Sequence, residues 1–358
     1  MRTQLRAPVS LVITGWLAAS SAGATTFCAT TSAEFQSALS AAQGNNEHDE
    51  IRLRSGAYTA IAGGFKYDSA ADESFDVEIS GGWSPFFANP CGLQLDDDPW
   101  QTVLDGDGQN RILQLFVDAE ESDVRVHRLT FIDGFVSPGL GAGLSISYLG
   151  DAGGTVEVER NAFIANEATQ SSALSVQGAT VQKVTNNLFL LNHGGSSSAA
   201  YLTTTGLFGV SFTNNTVLNN THSNSGQPTL RLAAGRAFVA NNNFWGNDGY
   251  DVEVGNAGDR TLYNNNYESA LLHGGEIDVG NISVEPEYQS GLFNFTPVRT
   301  SPLVDAGREP EGASPLWYLT ELDLNASMRL VGPHVDIGAF ENERIFEDGF
   351  DPSGPFGF

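Results

Sequence analysis

Positive charge is what this 358-residue chain has least of: 17 lysines and arginines stand against 43 aspartates and glutamates, and Lys66 and Lys183 are its two lysines. A net charge of -26 repels phosphate backbones and anionic lipid, which argues against a generic nucleic-acid-binding or membrane-surface role. Long apolar runs are missing too, apart from Val9 to Ala19, which is too short for a membrane span. Arg2 and Arg6 precede that run and Ala22-Gly23-Ala24 follows it, so residues 1–24 read as an export signal. The expectation is a secreted or cell-surface protein starting near Thr25, with no membrane insertion of the remainder. Cysteine is scarce as well. Cys28 and Cys91 are an even pair, which in an exported chain favours one disulfide, with two buried free thiols as the alternative. The acidic bias does not signal disorder, because 41% of residues are hydrophobic and Asp96 to Asp98 is one of few like-charge blocks.

Glycine, at 40 residues, is plentiful, and asparagine recurs in register. The stretch VTNNLFLLN, Val184 to Asn192, has relatives in FTNNTVLNN, VANNNFWGN and LYNNNYESA. Aligned on Asn161, Asn187, Asn215, Asn242 and Asn265, the units are spaced by 26, 28, 27 and 23 residues. Three positions earlier stand Val158, Val184, Phe212, Val239 and Leu262; two positions later stand Phe163, Phe189, Val217, Phe244 and Tyr267. Asn186, Asn214, Asn241 and Asn264, with Arg160 in the first unit, precede the reference residue, and Asn166, Asn192, Asn220 and Asn247 follow it by five. Phe131 marks an earlier, degenerate unit. A further strand lies between units at Leu144/Ile146, Leu174/Val176, Leu202/Thr204, Leu230/Leu232 and Val252/Val254.

Three short strands per unit at this period predict an all-β parallel β-helix, whose coils stack because none can bury its own apolar face. A leucine-rich horseshoe lacks its repeat pattern here. Asparagine tolerates the left-handed conformation a bend requires, and amides stacked one coil apart, about 4.8 Å, can form a ladder. The aromatic column belongs inside the cylinder. Thr31 to Ala42 reads as a helix with a Thr31/Glu34 capping box and one apolar face, placed to plug the N-terminal end. The expected organisation is a cap over residues 25–48, a β-helix over 49–340 and a tail over 341–358.

Three motifs carry a family resemblance. AEFQSALSAAQGNNEHDEIRLRSGAY resembles the entry helix and first coil of the bacterial right-handed parallel β-helix proteins of the pectate-lyase-like superfamily, which implies a right-handed coil here. ISGGW…C…TVLDGDG, Ile79 to Gly108, is similar to a stretch of their secreted proteobacterial members. SPLVDAG, Ser301 to Gly307, with RLVGPHVDIGAFE, Arg329 to Glu341, resembles the ending of the choice-of-anchor Q domain. The resemblance spans nearly the whole exported chain. The tail, NERIFEDGFDPSGPFGF, resembles short acidic endings of other secreted proteins and carries no LPxTG signal; a disordered terminus is the alternative.

Enzymes of that superfamily act on acidic polysaccharides. Its lyases use carboxylate-bound calcium with an arginine or lysine base, and its polygalacturonase-type hydrolases carry N-T-D, D-D, G-H-G and R-I-K markers. The marker set is absent here. One column does hold chemistry: Glu167, His193, Thr221 and Asp248 lie six residues past the reference asparagines, with His222 beside them. Imidazoles and carboxylates at coil spacing can do acid–base work or hold a divalent metal, calcium included; solvated turn residues beside Gly194 and Gly249 are the alternative. DGDGQN, Asp105 to Asn110, resembles half a calcium loop without its distal glutamate. Asp305, Asp323 and Asp336 are expected to cap turns or pair with Arg308 and Arg329. The outward strip Ser145, Ser175, Thr203, Arg231 and Glu253, with Trp245 and Tyr250 nearby, suits glycan contact or plain solvation. The function expected is adhesion or binding of a polysaccharide or cell-surface glycan without catalysis; the alternative is a polysaccharide lyase or glycoside hydrolase using Glu167, His193, His222 and Asp248.

Overall fold

A computed structural model describes residues 24–69, 75–118, 121–149, 153–205, 208–255, 258–291, 293–309 and 316–342. The expected export signal, residues 1–24 (apart from Ala24), and the expected tail beyond Asn342 lie outside them. The chain winds as a right-handed parallel β-helix, closed at its N-terminal end by one helix. A middle coil shows the path. Leu144–Tyr148 lies in one sheet, Thr155–Glu159 in the next, Ala162–Ile164 in a third, and the two-residue strand Glu167–Ala168 in a fourth before Leu174–Gly178 begins the next coil. We call the sheet of Thr155–Glu159 the first, that of Ala162–Ile164 the second, that of Leu144–Tyr148 the third and that of Glu167–Ala168 the fourth. They contain eleven, seven, eight and four strands.

The paired asparagines divide two tasks. Asn186, Asn214, Asn241 and Asn264, with Arg128 and Arg160 in earlier coils, take the left-handed conformation, with φ between 48° and 59°. The asparagines after them form the ladder. Asn187 Oδ1 accepts from the backbone N–H of Asn161 at 2.9 Å, while its Nδ2 donates to the carbonyls of Val158 and Thr185, each at 2.9 Å, and to Asn215 Oδ1 at 3.0 Å. Asn161, Asn215, Asn242 and Asn265 repeat this, and Asn281, absent from the aligned repeat, adds a last rung by accepting from Asn265. A second bend, after the second sheet, has its own ladder of Asn166, Asn192, Asn220 and Asn247. There the left-handed position is held by Ala165, Leu191, Asn219 and Gly246.

Inside the cylinder, Phe131, Phe163 and Phe189 stack with ring centroids 4.9 Å apart. In the next coil Val217 occupies the aromatic column, and Phe212, replacing a valine three residues before Asn215, fills the space between Phe189 and Phe244 at 5.8 and 6.1 Å. Volume is conserved by a paired exchange of large and small residues, as close packing requires.

The helix, Ser32–Ala42, buries Phe35, Ala38, Leu39 and Ala42 over the first coil. Thr31 caps it by accepting from the Glu34 N–H at 3.2 Å, and the Glu34 carboxylate reaches one residue further back than a capping box predicts, to the N–H and hydroxyl of Thr30. A strand that the sequence reading overlooked, Ala24–Ala29, precedes the helix and pairs with His48–Arg54, so the cap is not helix alone. Cys28 and Cys91 form a disulfide, which ties this strand to the hairpin of Val77–Phe86 and Asn89–Gln94.

Leu188–Leu190 and Ala162–Ile164 are apolar at every position, because both faces of the second sheet are covered. Phe163 and Phe189 point inward; Ile164, Leu188, Leu190 and Leu218 point outward against Leu324, Ala339 and Phe340 of the returning C-terminal segment. The left-handed asparagines seat that segment. Asn241 donates to the Arg308 carbonyl at 2.7 Å and accepts from its N–H at 2.9 Å; Asn186 and Asn264 donate to the carbonyls of Leu322 and Ala306.

Candidate functional site

The fourth sheet is where the sequence-derived column lies. Its register sets Glu167 opposite His193 and His193 opposite Thr221. The same backbone bond to the preceding coil, from Glu167 N–H to the Gly134 carbonyl and from His193 and Thr221 to the carbonyls of Asn166 and Asn192, continues through Asp248 N–H to the Asn220 carbonyl at 2.9 Å. Glu167, His193, Thr221 and Asp248 therefore share one edge. His222 does not join it, because it sits one residue further along and pairs with Gly194, and successive strand residues face opposite ways.

The two histidines differ in consequence. His193 is held by both ring nitrogens, Nδ1 against Thr221 Oγ1 and Nε2 against Ser223 Oγ, each at 2.9 Å. His222 Nε2 faces Ser198 Oγ at 3.4 Å and its Nδ1 is buried with no partner. Burial lowers the His222 pKa below the ordinary histidine value, against an opposing pull from Asp248, so its neutral form is favoured. Among the described residues no hydrogen bond or ion pair joins Glu167, His193, His222 and Asp248 to one another, and no group of three or more His, Cys, Asp or Glu is arranged to hold a metal.

Glu167 does border a hollow of about 430 Å³ with Asp105, Asp107 and Asp133. The DGDGQN stretch forms a turn in which the Asp107 N–H donates to Asp105 Oδ1 at 2.7 Å. Asp133 is raised above the ordinary aspartate range, first by burial and then by Asp105. The aspartates of the ending act as expected of turn residues. Asp323 accepts from the backbone of Asn325, Ser327 and Glu341, and Asp336 from that of Asp305 and Asn342. Asp96 to Asp98 lies outside the strands, where Asp97 pairs with Arg128 and Arg160 and so holds two arginines in their left-handed bends.

The outward row of the third sheet reads Gln114, Ser145, Ser175, Tyr201, Arg231 and Glu253. Tyr201 stands where the sequence reading put Thr203. The reason is Ala200, fully buried opposite Leu174 and Leu230, which shifts Leu202 to the second inward column beside Val176. Alanine carries too weak an apolar signal for that register to be read. Arg231 pairs with Glu253 at 2.7 Å and closes the row. Trp245, expected to be exposed, packs instead against the apolar cluster beneath the C-terminal segment.

A further hollow lies apart from every residue singled out in the sequence for chemistry other than Asp323. It measures about 620 Å³ and lies over the second sheet beside the returning segment, lined by Trp100, Ile132, Ile164, Phe293, Asn294 and Asn325 among others. The legible signal was the all-apolar second-sheet strands, which require a cover and hence an edge where that cover ends. No protein-family model and no curated protein matches the chain. No helix among the described residues is long and apolar enough to cross a membrane.

Proposed function

We propose that this is a secreted or surface-associated β-helix protein that binds an extended glycan along the outer face of its third sheet without cleaving it. The reading rests on the accessible members of the in-register row, Gln114, Tyr201 and Arg231; Ser145 and Ser175, which lie between Gln114 and Tyr201, are buried. The row sets an amide, an aromatic ring and a guanidinium along the long axis, with Tyr201 and Arg231 on adjacent strands about 4.8 Å apart, and Tyr201 offers a ring for stacking on a sugar. Export is supported by the Cys28–Cys91 disulfide, since such bonds persist in oxidising compartments. Kinship with the pectate-lyase-like proteins that end in a choice-of-anchor Q domain is supported by the places its motifs take. The first supplies the end cap and the last supplies the segment that folds back over the second sheet.

One observation favours a second reading, a polysaccharide lyase or glycoside hydrolase: the shared edge of Glu167, His193, Thr221 and Asp248, with Glu167 also bordering the Asp105/Asp107/Asp133 hollow. A glycan array separates the two when run beside an assay for reducing ends and unsaturated products, with and without calcium. Retention of a glycan that weakens in Tyr201→Ala, with a blank product assay, supports binding. Turnover abolished by His193→Ala or His222→Ala replaces it with the enzymatic reading.

A further inference from the structure

The outward face of the second sheet is apolar, and the returning C-terminal segment covers only part of it. Toward the N-terminal coils the cover stops and the 620 Å³ cleft opens over Val103, Ile132 and Ile164, within the range of about 300–1,000 Å³ usual for small-ligand sites. Two rings, Trp100 and the exposed Phe293, flank this aliphatic floor, and three amides, Gln289, Asn294 and Asn325, supply polar groups. Trp100 Nε1 donates to Asn325 Oδ1 at 3.1 Å, which fixes the indole and turns the Asn325 amide nitrogen toward Thr296 Oγ1 at 3.5 Å.

The lining sorts candidate ligands by charge and shape. Among the described residues it contains no lysine, arginine or histidine, so an anion finds no counter-charge among them. Asp323 and Glu341 lie in the wall, but their oxygens already accept backbone N–H groups from Asn325, Ser327 and Glu341, and from Val331 and Asp336. They repel anions without offering a cation a free ligand set. Asn325 is paired at both ends and Asn294 Oδ1 accepts from the Thr296 N–H, so a wholly apolar ligand leaves the Gln289 amide and the Asn294 nitrogen unpaired at a cost. A ligand with a flat C–H face and a rim of hydroxyls meets both halves of the lining.

We infer that this cleft binds a neutral saccharide, one pyranose ring stacked on Trp100 with its hydroxyls met by Gln289, Asn294 and Asn325. The site is separate from the third-sheet row, and its test reads different residues. Isothermal titration of the full chain with neutral oligosaccharides of glucose, mannose, galactose and N-acetylglucosamine, and with oligogalacturonate, decides it. At least one neutral oligosaccharide binds saturably. Trp100→Ala, checked for folding by circular dichroism, weakens that binding about tenfold or more. Phe293→Ala and Asn294→Ala, both at the accessible rim, weaken it several-fold, while Tyr201→Ala leaves it unchanged.

Binding that survives the rim variants, preference for oligogalacturonate, or no response to any neutral sugar overturns the inference. Loss of binding in Tyr201→Ala with retention in the rim variants upholds the third-sheet reading and overturns this one. Absence of sugar binding together with spectral change at Trp100 on removing residues 343–358 assigns the cleft to the chain's own terminal segment, and so also overturns it. Spectral change that instead follows protein concentration assigns it to a second copy and overturns it likewise.

Discussion

Asparagine comes in pairs in this chain because each bend between the first and second sheets poses two separate problems. One residue must adopt positive φ, and the next must satisfy a buried N–H of the preceding coil. Asn186 answers the first and Asn187 the second. Replacing Asn187 by alanine strips the Asn161 N–H of its acceptor and the Val158 and Thr185 carbonyls of a donor, all inside the stack. The expected loss is about 2 kcal/mol or more in urea-unfolding stability, since buried unsatisfied groups each cost about 1–3 kcal/mol. The second bend shows the opposite case. Leu191 holds φ at 57° with more than half its side chain exposed, so it bears the left-handed penalty and returns little burial. Leu191→Asn is expected to raise stability by about 1 kcal/mol, read as a higher urea midpoint at unchanged slope. The pairing of tasks was legible only in part. Repetition revealed both columns, but composition alone does not say which asparagine bends and which bonds, because both geometries suit the same side chain.

Among elements, the returning C-terminal segment depends most on solution conditions. Its buried Arg329 donates to the carbonyls of Asp336 and Gly338, while three carboxyl groups, Asp323, Asp336 and Glu341, surround it. One guanidinium does not compensate three buried anions. Desolvation pushes Glu341 up to about 7 and Asp336 up to about 6. Groups raised in this way favour the folded, protonated form. Their contribution is fully present below the ordinary carboxylate range near pH 4 and is lost as pH rises through about 7. Hydrogen-exchange protection factors at the Val331, Asp336 and Asn342 amides are therefore expected to be higher at pH 5 than at pH 8, while those of the Asn187 ladder stay level. Protection that rises with pH in the segment would contradict this. Asn241→Gly keeps the left-handed bend but removes both bonds to Arg308, so it is expected to lower protection at Arg308 and spare the coil. SPLVDAG and RLVGPHVDIGAFE stood out in the sequence by resemblance, whereas their seat on the second sheet did not. Those contacts join residues distant in sequence, 42 positions apart for Asn264 and the Ala306 carbonyl and 123 for the Ala339 N–H and Thr216 Oγ1, and no local period encodes them.

On the scale of the molecule, the coils form a rigid cylinder that lines up whatever side chains occupy equivalent outward positions. The coil-spaced columns of asparagine, phenylalanine and valine made the β-helix readable from the sequence, and the same regularity placed Glu167, His193, Thr221 and Asp248 on one edge. His222 was misplaced for a local reason. Strand alternation continues through even a two-residue strand, so His222 pairs with Gly194 and faces away from the edge that His193 and Thr221 share. Tyr201 was missed because one buried alanine moved the register by two. What remains is an outward row, accessible at Gln114, Tyr201 and Arg231, that we read as a track for an extended glycan, on a surface whose net charge of -26 disfavours polyanionic polymers. Affinity electrophoresis of the protein and its Tyr201→Ala variant through gels cast with individual polysaccharides tests that claim most directly. The account predicts retarded migration in at least one gel cast with a neutral glycan and recovered mobility in the variant. Equal mobility of the two proteins in every gel would contradict it.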